Sequence, residues 1–273
     1  MPTPTQYDQI GTRYNTIKQL PITTIEQSNL HAAVSPSVHN ARVLDLACGT
    51  GYYSRLLLTW GAASVVGVDI SPAMISAAEA ETSPDIPKEK LNFEVGDATS
   101  LGVIDGGEFD LVTAVWLCPY ASGEEELRGM FETVAGNLKE GGTFVGLANP
   151  AVKKGDMEKW KGFNDGVMEG REKAWGVEIR YGEALGNGGY AVRVTTRARE
   201  EGGEPVAFGA YHLPTEMYED AAREAGMKGK LEWKEVRFLE EVREEAIAAV
   251  GEEYFRQFFE EFKPHFGVFV IQK

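Results

Sequence analysis

Several features are scarce in this sequence, and each scarcity argues against a class of protein. Only two cysteines occur, Cys48 and Cys118, so no disulfide framework is indicated and a cytoplasmic location is expected. Apolar runs stay far below the roughly 20 residues that a membrane-spanning helix needs. The first residues, MPTPTQYDQIG, lack the basic start and apolar stretch of a signal peptide. We therefore expect no membrane association.

Basic residues are also scarce relative to acidic ones. The chain has 27 Lys and Arg against 42 Asp and Glu, which gives a net charge of −15. Such a surface repels phosphate backbones, so no nucleic-acid partner is expected. No metal site is predicted. The length of 273 residues suits one elaborated domain, so residues 1–273 are treated as a single unit.

The stretch Arg42 to Ser54, RVLDLACGTGYYS, organises the rest of the chain. A short apolar run typical of a buried parallel strand leads into a turn with two glycines. Gly49 and Gly51 allow a sharp turn and a close approach of the backbone to a ligand. A helical pattern follows, whose first N–H groups would point toward that ligand. This arrangement predicts a nucleotide-type binding site.

Strand and helix patterns alternate from this stretch to about residue 150, which predicts a parallel, doubly wound α/β sheet. Before it, residues 5–34 read as two helical stretches separated at Pro21, with a loop at 35–37. After it, residues 150–190 show no clean period, and residues 191–213 read as an antiparallel hairpin. The remaining predictions are an amphipathic helix at 124–139 ended by Gly141 and Gly142, strands at 231–239 and 266–271, and helices over 241–262.

Three interpretations of the glycine turn compete: a turn needed only for packing, a site for NAD, and a site for S-adenosylmethionine. Asp69 ends the next strand, 20 residues after Gly49, where it could accept hydrogen bonds from ribose hydroxyls. NAD fits poorly in two respects. Ser54 stands where the third glycine is expected, and Asp45 would place a negative charge near the pyrophosphate. S-adenosylmethionine carries cationic groups and no phosphate, so Asp45 would favour it.

Four motifs together resemble the class I S-adenosylmethionine-dependent methyltransferases: VLDLACGTG, VVGVDIS, GDA and DLVTAVW, within residues 40–150. The segments YDQIGTRYN and YEDAAREAGM further resemble small-molecule methyltransferases of natural-product and toxin biosynthesis. The resemblance implies a Rossmann-like, doubly wound, seven-stranded, mostly parallel sheet with an antiparallel last strand. It divides the chain into an N-terminal helical lid (5–34), a cofactor-binding core (40–150), a substrate-cover insertion after the fifth strand (151–213) and the C-terminal part of the sheet (214–273).

The resemblance also implies roles for individual residues around S-adenosylmethionine, whose demethylated product is S-adenosylhomocysteine. Asp45 would hold the methionine ammonium, Asp69 the ribose hydroxyls and Asp97 the adenine amino group. Tyr14 would close over the methionine carboxylate. The full set of implied cofactor residues is Tyr14, Asp45, Ala47, Gly49, Gly51, Asp69, Ile70, Met74, Asp97, Ala98, Val115 and Trp116.

The implied reaction is in-line transfer of a methyl group to oxygen, nitrogen or sulfur of a small molecule, with orientation as the main catalytic effect. Candidate acceptor residues are Tyr7, Tyr120, Asn149, Trp175 and Tyr211, and candidate catalytic residues are His212 and Tyr120. A methyltransferase-like binding or regulatory module without turnover stays an alternative, as does an NAD-dependent oxidoreductase. The chain is expected to be a monomer or a homodimer.

Overall fold

Two sheets and the helices around them appear in the computed structural model, which describes residues 5–104, 107–196, 205–238, 240, 243–244, 247–248, 251–256 and 265–273. The α-helices are Gln6–Ile10 (α1), Pro21–Val38 (α2), Tyr52–Thr59 (α3), Pro72–Glu81 (α4), Glu124–Asn137 (α5), Met157–Trp175 (α6), Thr215–Glu224 (α7) and Glu252–Arg256 (α8). The strands are Arg42–Leu46 (β1), Ser64–Asp69 (β2), Leu91–Val95 (β3), Phe109–Val115 (β4), Leu138–Ala148 (β5), Val177–Ala184 (β6), Tyr190–Thr196 (β7), Val206–His212 (β8), Glu232–Lys234 (β9) and Gly267–Gln272 (β10). Short 3-10 helices span Gly11–Gln19, Cys118–Tyr120 and Lys154–Asp156.

The larger sheet has seven strands in the order β3-β2-β1-β4-β5-β10-β9. Strands β1 to β5 pair in parallel, whereas β10 is antiparallel to both β5 and β9. The predicted doubly wound, mostly parallel sheet with an antiparallel last strand is thereby confirmed. The chain order reverses between β1 and β4, so their carboxyl ends flank the crevice in which such sheets bind ligands.

The segment predicted to have no regular period contains two elements. Helix α6 (Met157–Trp175) and strand β6 (Val177–Ala184) lie there, and β6 extends the predicted hairpin of β7 and β8 into a three-stranded antiparallel sheet. Glycines at 162 and 166 weaken the local helical preference. Burial of Val167 and Trp175 in the core stabilises α6 instead, which a local pattern does not reveal.

Other predicted boundaries are corrected by the structure. Helix α2 continues through Pro36 to Val38 rather than ending in a loop at 35–37. Helix α5 ends at Asn137, and Gly141 and Gly142 lie inside β5. The strand predicted over 231–239 is only three residues long. Of the helices predicted over 241–262, the described residues include α8, and much of that range lies outside them.

Helices cover both faces of the larger sheet. One apolar core joins the sheet to α2, α3 and α6, and a second joins it to α5 and α7. In the second core, Phe144 of β5 contacts Phe131 and Phe269 edge to face, with ring centroids 5.5 and 5.3 Å apart. Phe269 also faces Gly146 across the β5–β10 pair. Within the described ranges, no helix combines the length and apolarity needed to cross a membrane.

A methyl group at position 146 tests this packing. In Gly146→Ala, the new Cβ would lie 2.1 Å from Cζ of Phe269, so the ring must move out of a packed core. We expect a loss of about 1–3 kcal/mol in the free energy of unfolding, measured by urea denaturation. Gly136→Ala in helix α5 is the control, because its Cβ meets nothing within 4 Å. It should gain about 0.5–1 kcal/mol. Equal stability of the two variants would contradict the packing.

Candidate functional site

The turn after β1 has a backbone that its sequence must permit. Ala47, Gly49 and Gly51 have φ values of 56°, 55° and 74°. A Cβ on Gly51 would lie 2.6 Å from Cζ of Phe93, whereas a Cβ on Gly49 would meet nothing within 4 Å. Gly51 is therefore required for both conformation and packing. Gly49 leaves the backbone open toward a ligand.

Asp45 lies beneath this turn and is almost fully buried. Its two carboxylate oxygens accept hydrogen bonds from the hydroxyls of Ser54 (2.6 Å) and Thr113 (2.8 Å). Burial raises the pKa of Asp45 to about 6, although both hydrogen bonds act in the opposite direction. Ser54 stands where a dinucleotide motif has its third glycine. Its hydroxyl instead binds the Asp45 carboxylate, whose negative charge would oppose a pyrophosphate at this turn.

Asp69, at the end of β2, holds the turn from its other side. Its Oδ2 accepts the N–H of Gly49 at 2.8 Å, and its Oδ1 accepts the N–H of Ser71 at 2.9 Å. Burial raises the pKa of Asp69. The hydroxyl of Ser71 in turn donates to Asp8 of α1 at 2.6 Å, which attaches the N-terminal helix to this edge of the sheet.

Three neighbouring cavities open along the carboxyl ends of the strands. The adenine-side cavity (about 450 Å³) lies beside Asp97, the turn cavity (about 50 Å³) beside Gly49, and the sheet cavity (about 60 Å³) against the three-stranded sheet. Tyr120 lines all three, and its hydroxyl is hydrogen-bonded to that of Tyr7. Tyr120 therefore stands at the boundary shared by the three cavities.

Lys18, in the 3-10 helix after α1, lies between the turn cavity and the sheet cavity. Its ammonium faces the rings of Tyr53, Tyr14 and Tyr52, with Nζ-to-centroid distances of 4.5, 5.5 and 5.5 Å. Burial lowers the pKa of Lys18. Among the described residues it forms no ion pair within 4 Å, so its charge can attract an anionic group of a ligand.

The sheet cavity is bounded by one face of the three-stranded sheet and by the N-terminal helices. Alternate residues of β6, β7 and β8 point into it, as the period of a strand requires. Glu26 of α2 also lines it and is only 5% exposed. Burial raises the pKa of Glu26, against the opposing effect of Lys18. The sheet residues at this wall are Val177, Ile179, Val194, Thr196, Phe208 and Ala210.

Most of the residues predicted to form the site come together around these cavities. Tyr7, Tyr14, Ala47, Gly49, Asp69, Met74, Val115 and Trp116 line the turn cavity; Ile70, Asp97 and Ala98 line the adenine-side cavity; and Asn149 lines the sheet cavity. Trp116 has φ 65°, a strained conformation at the end of β4. The individual roles of these residues stay predictions.

Five predicted residues do not line these cavities. Asp45 lies just beneath the turn, and Gly51 belongs to the turn but packs against Phe93. Trp175 is buried in the core, with its ring 5.7 Å from that of Phe238, so it does not reach an acceptor in these cavities as predicted. Tyr211 contributes its backbone carbonyl, which accepts a 2.7 Å hydrogen bond from Asn149. It therefore positions a cavity residue instead of contacting an acceptor itself.

His212 is the fifth predicted residue that lines none of these cavities, and its surroundings argue against its predicted role as a base. The side chain is fully buried, with Nε2 2.9 Å from the carbonyl oxygen of Pro150 and Nδ1 2.5 Å from the hydroxyl of Tyr181. Burial lowers its pKa to about 4. Both ring nitrogens are engaged inside the protein, so His212 is a structural residue that joins the insertion to the segment after β5.

Sequence reasoning missed three polar residues of the crevice: Lys18, Glu26 and His265. His265, just before β10, lines the sheet cavity, as Glu26 does. One signal was available for Glu26, which is the only Asp, Glu, Lys or Arg within the 18 residues of helix α2. No comparable signal marks His265, because β10 enters the sheet next to β5 only through tertiary structure.

Residues 43–142 match the family model described as a methyltransferase domain. This range includes the turn, Asp45, Asp69 and Asp97, and it confirms the resemblance stated from the motifs.

Curated relatives match a similar part of the chain. An mRNA cap guanine-N(7) methyltransferase from Caenorhabditis elegans is 34% identical over 119 residues, which is 40% of this chain and 31% of that protein. A demethylmenaquinone methyltransferase from Leptospira interrogans is 34% identical over 112 residues, or 41% of this chain and 44% of that protein. This chain thus spans less than half the length of either relative.

Solved structures extend the similarity in fold to nearly the whole chain. An S-adenosylmethionine-dependent methyltransferase from Mesorhizobium loti superposes with a TM-score of 0.57 at 21% identity, covering 91% of this chain and 98% of that one. This agreement establishes the fold.

The raised pKa of Asp45 predicts a pH dependence of stability. Because the folded-state pKa of about 6 exceeds the unfolded value near 3.8, folding binds a proton between these values. Stability due to this group is therefore lost as the pH rises from about 4 to 6. Asp45→Asn should remove this loss, which is at most about 3 kcal/mol. Urea titrations at several pH values would measure it. Parallel pH profiles for the two proteins would contradict the assignment.

Proposed function

We propose that this chain, whose residues 43–142 form a methyltransferase domain of the class I S-adenosylmethionine-dependent fold, transfers a methyl group from that cofactor to a small-molecule acceptor. The observation that carries the proposal is the charge of the crevice. Asp45 and Asp69 lie buried at the turn, and the described turn residues 45–54 include no basic side chain. This setting suits a cationic, phosphate-free cofactor and opposes a pyrophosphate.

The residues present fit the parts of the cofactor. Asp69 can accept from ribose hydroxyls, and the half-exposed Ile70 offers an apolar surface for adenine. Lys18 and the uncapped N-terminus of α3 can both attract the methionine carboxylate. Asp45 supplies negative charge beneath the ammonium. These assignments leave the methyl group facing the sheet cavity, past Trp116.

When bound, S-adenosylmethionine supplies a methyl group already activated on positively charged sulfur. The protein therefore needs mainly to orient the acceptor atom in line with the sulfur–carbon bond, which can lower a barrier by roughly 7–11 kcal/mol. Aromatic faces at Trp116 and Tyr120 would stabilise the sulfonium by about 0.5–2 kcal/mol each. The apolar walls of the sheet cavity would exclude water from the reacting atoms.

A small acceptor is favoured by the enclosure of the sheet cavity. The N-terminal cover and the insertion meet across it, and Gln6 of α1 exchanges two 3.0 Å hydrogen bonds with the backbone of Gly209 in β8. One relative acts on a demethylmenaquinone and another on an mRNA cap, as their names state. The covered position of the cavity and the net charge of −15 both favour the smaller acceptor.

Cofactor binding provides the direct test. Isothermal titration calorimetry should give micromolar-range dissociation constants for S-adenosylmethionine and S-adenosylhomocysteine, about −8 kcal/mol, and no binding of NAD. Heat from NAD alone would overturn the proposal in favour of an oxidoreductase. Binding of the cofactor without methyl transfer across phenols, amines, thiols and carboxylates would instead favour a binding or regulatory module.

Variants of three residues should separate the cofactor site from its surroundings. We expect Asp69→Ala to abolish measurable binding of S-adenosylhomocysteine and Lys18→Met to weaken it at least about tenfold, since each removes a charge-assisted contact. His212→Ala should lower the melting temperature but spare the affinity. Lys228→Met, which alters an exposed lysine paired with Glu140, is the matched control for Lys18. Unchanged affinity in both Asp69→Ala and Lys18→Met would show that the site map is wrong.

A further inference from the structure

The sheet cavity contains one carboxylate among predominantly apolar walls. Glu26 extends from helix α2, which bears no other Asp, Glu, Lys or Arg. Opposite it stands the face of the three-stranded sheet, formed by aliphatic residues such as Ile179 and Val194. Placing a carboxylate in such a cavity carries a large desolvation cost. An apolar side chain at position 26 would avoid that cost.

The neighbours of Glu26 compensate its charge only in part. Its Oε2 accepts a hydrogen bond of 3.3 Å from the hydroxyl of Tyr53. The charge of Lys18 lowers the pKa of Glu26, against the larger effect of burial. Among the described residues it has no ion-pair partner within 4 Å. The ammonium of Lys18 lies over three tyrosine rings, and this residue lines both the sheet cavity and the turn cavity. A cationic group entering the sheet cavity would complete the set of contacts around this carboxylate.

Aromatic rings reinforce the same preference. Tyr14, Trp116, Tyr120 and Phe208 all line the sheet cavity, toward which the methyl group would point, and the first three also line the turn cavity. The faces of such rings attract cations, most strongly where water is excluded. One carboxylate and several aromatic faces around an apolar space form a site suited to an ammonium group carried on an apolar body.

We propose that the acceptor is an amine with an apolar body and that it binds in the sheet cavity with its nitrogen at Glu26. This inference rests on the proposed methyltransferase function and specifies its substrate class. Acceptors that react as anions, thiolates or carboxylates, would be repelled by Glu26. An alcohol would have to give its proton to a group that is a far weaker base than the alkoxide formed.

The proposed reaction balances in atoms and charge. The ammonium of the acceptor gives one proton to the Glu26 carboxylate, which leaves a neutral nitrogen with a free electron pair. That pair forms a bond to the methyl carbon while the carbon–sulfur bond breaks and its electrons remain on sulfur. The product nitrogen is a methylated ammonium, and the proton on Glu26 passes to water. No oxidant or further reactant is needed.

A matched set of acceptors tests the substrate class. 2-Phenylethylamine, 2-phenylethanol, 2-phenylethanethiol and 3-phenylpropionate share one apolar body, and radiolabelled S-adenosylmethionine measures transfer to each. We expect labelling of the amine at least tenfold above the others. Glu26→Gln should lower that rate about 10²-fold or more while changing the affinity for S-adenosylmethionine less than threefold. Glu140→Gln, at the opposite end of the sheet, is the matched control. Preferred labelling of the alcohol, thiol or acid would overturn the inference.

Binding of a charged probe that cannot be methylated decides the question independently of turnover. Phenethyltrimethylammonium and its neutral tert-butyl analogue have the same shape, and both can be titrated into the protein saturated with S-adenosylhomocysteine. The wild type should bind the charged probe at least about tenfold more tightly, and Glu26→Gln should lose that preference. Equal binding of the two probes by the wild type would overturn the inference, even if Glu26→Gln fails to fold. Absence of S-adenosylhomocysteine binding would instead refute the proposed function.

Discussion

The burial of charge at the carboxyl ends of β1, β2 and β4 is the constraint on which the rest of the site depends. Asp45 can remain in the core only because Ser54 of α3 and Thr113 of β4 donate to its two oxygens. Those bonds join three elements at one point. Asp69 accepts the N–H of Gly49 in the glycine turn and the N–H of Ser71 at the start of α4, which joins these two segments. The carboxylates at the proposed cofactor site therefore also hold its framework together.

The cover over this framework is attached by a few polar contacts rather than by a large core. Asp8 accepts from Ser71 at the end of β2, and Gln6 pairs with the open edge of β8. Tyr7 links the same short helix to Tyr120. Helix α1 thus connects the cofactor side of the crevice to the insertion. Contacts of this kind can open and close at modest cost, which suits a cover that must admit a cofactor and an acceptor.

Lys18 and Glu26 place opposite charges on neighbouring parts of the N-terminal segment. Lys18 brings positive charge to the turn cavity and to its boundary with the sheet cavity, and Glu26 brings negative charge to the sheet cavity. Trp116 lines both cavities, in a conformation that is rare for a residue other than glycine. The same segment therefore contributes to both ligand sites, so changes in it should affect the cofactor and the acceptor differently.

The sequence by itself determined the parallel strands, the glycine turn and the acids of the proposed cofactor site, because these depend on local patterns: an apolar run, a turn that only glycine permits and an acid at a strand end. It did not reveal α6 and β6, since their stability comes from burial of Val167 and Trp175 rather than from local preference. Only the tertiary structure decided that His212 is structural and that Lys18, Glu26 and His265 face the crevice. Their positions depend on contacts between segments distant in sequence, as between His212 and Pro150, 62 residues apart, and no local pattern encodes such contacts.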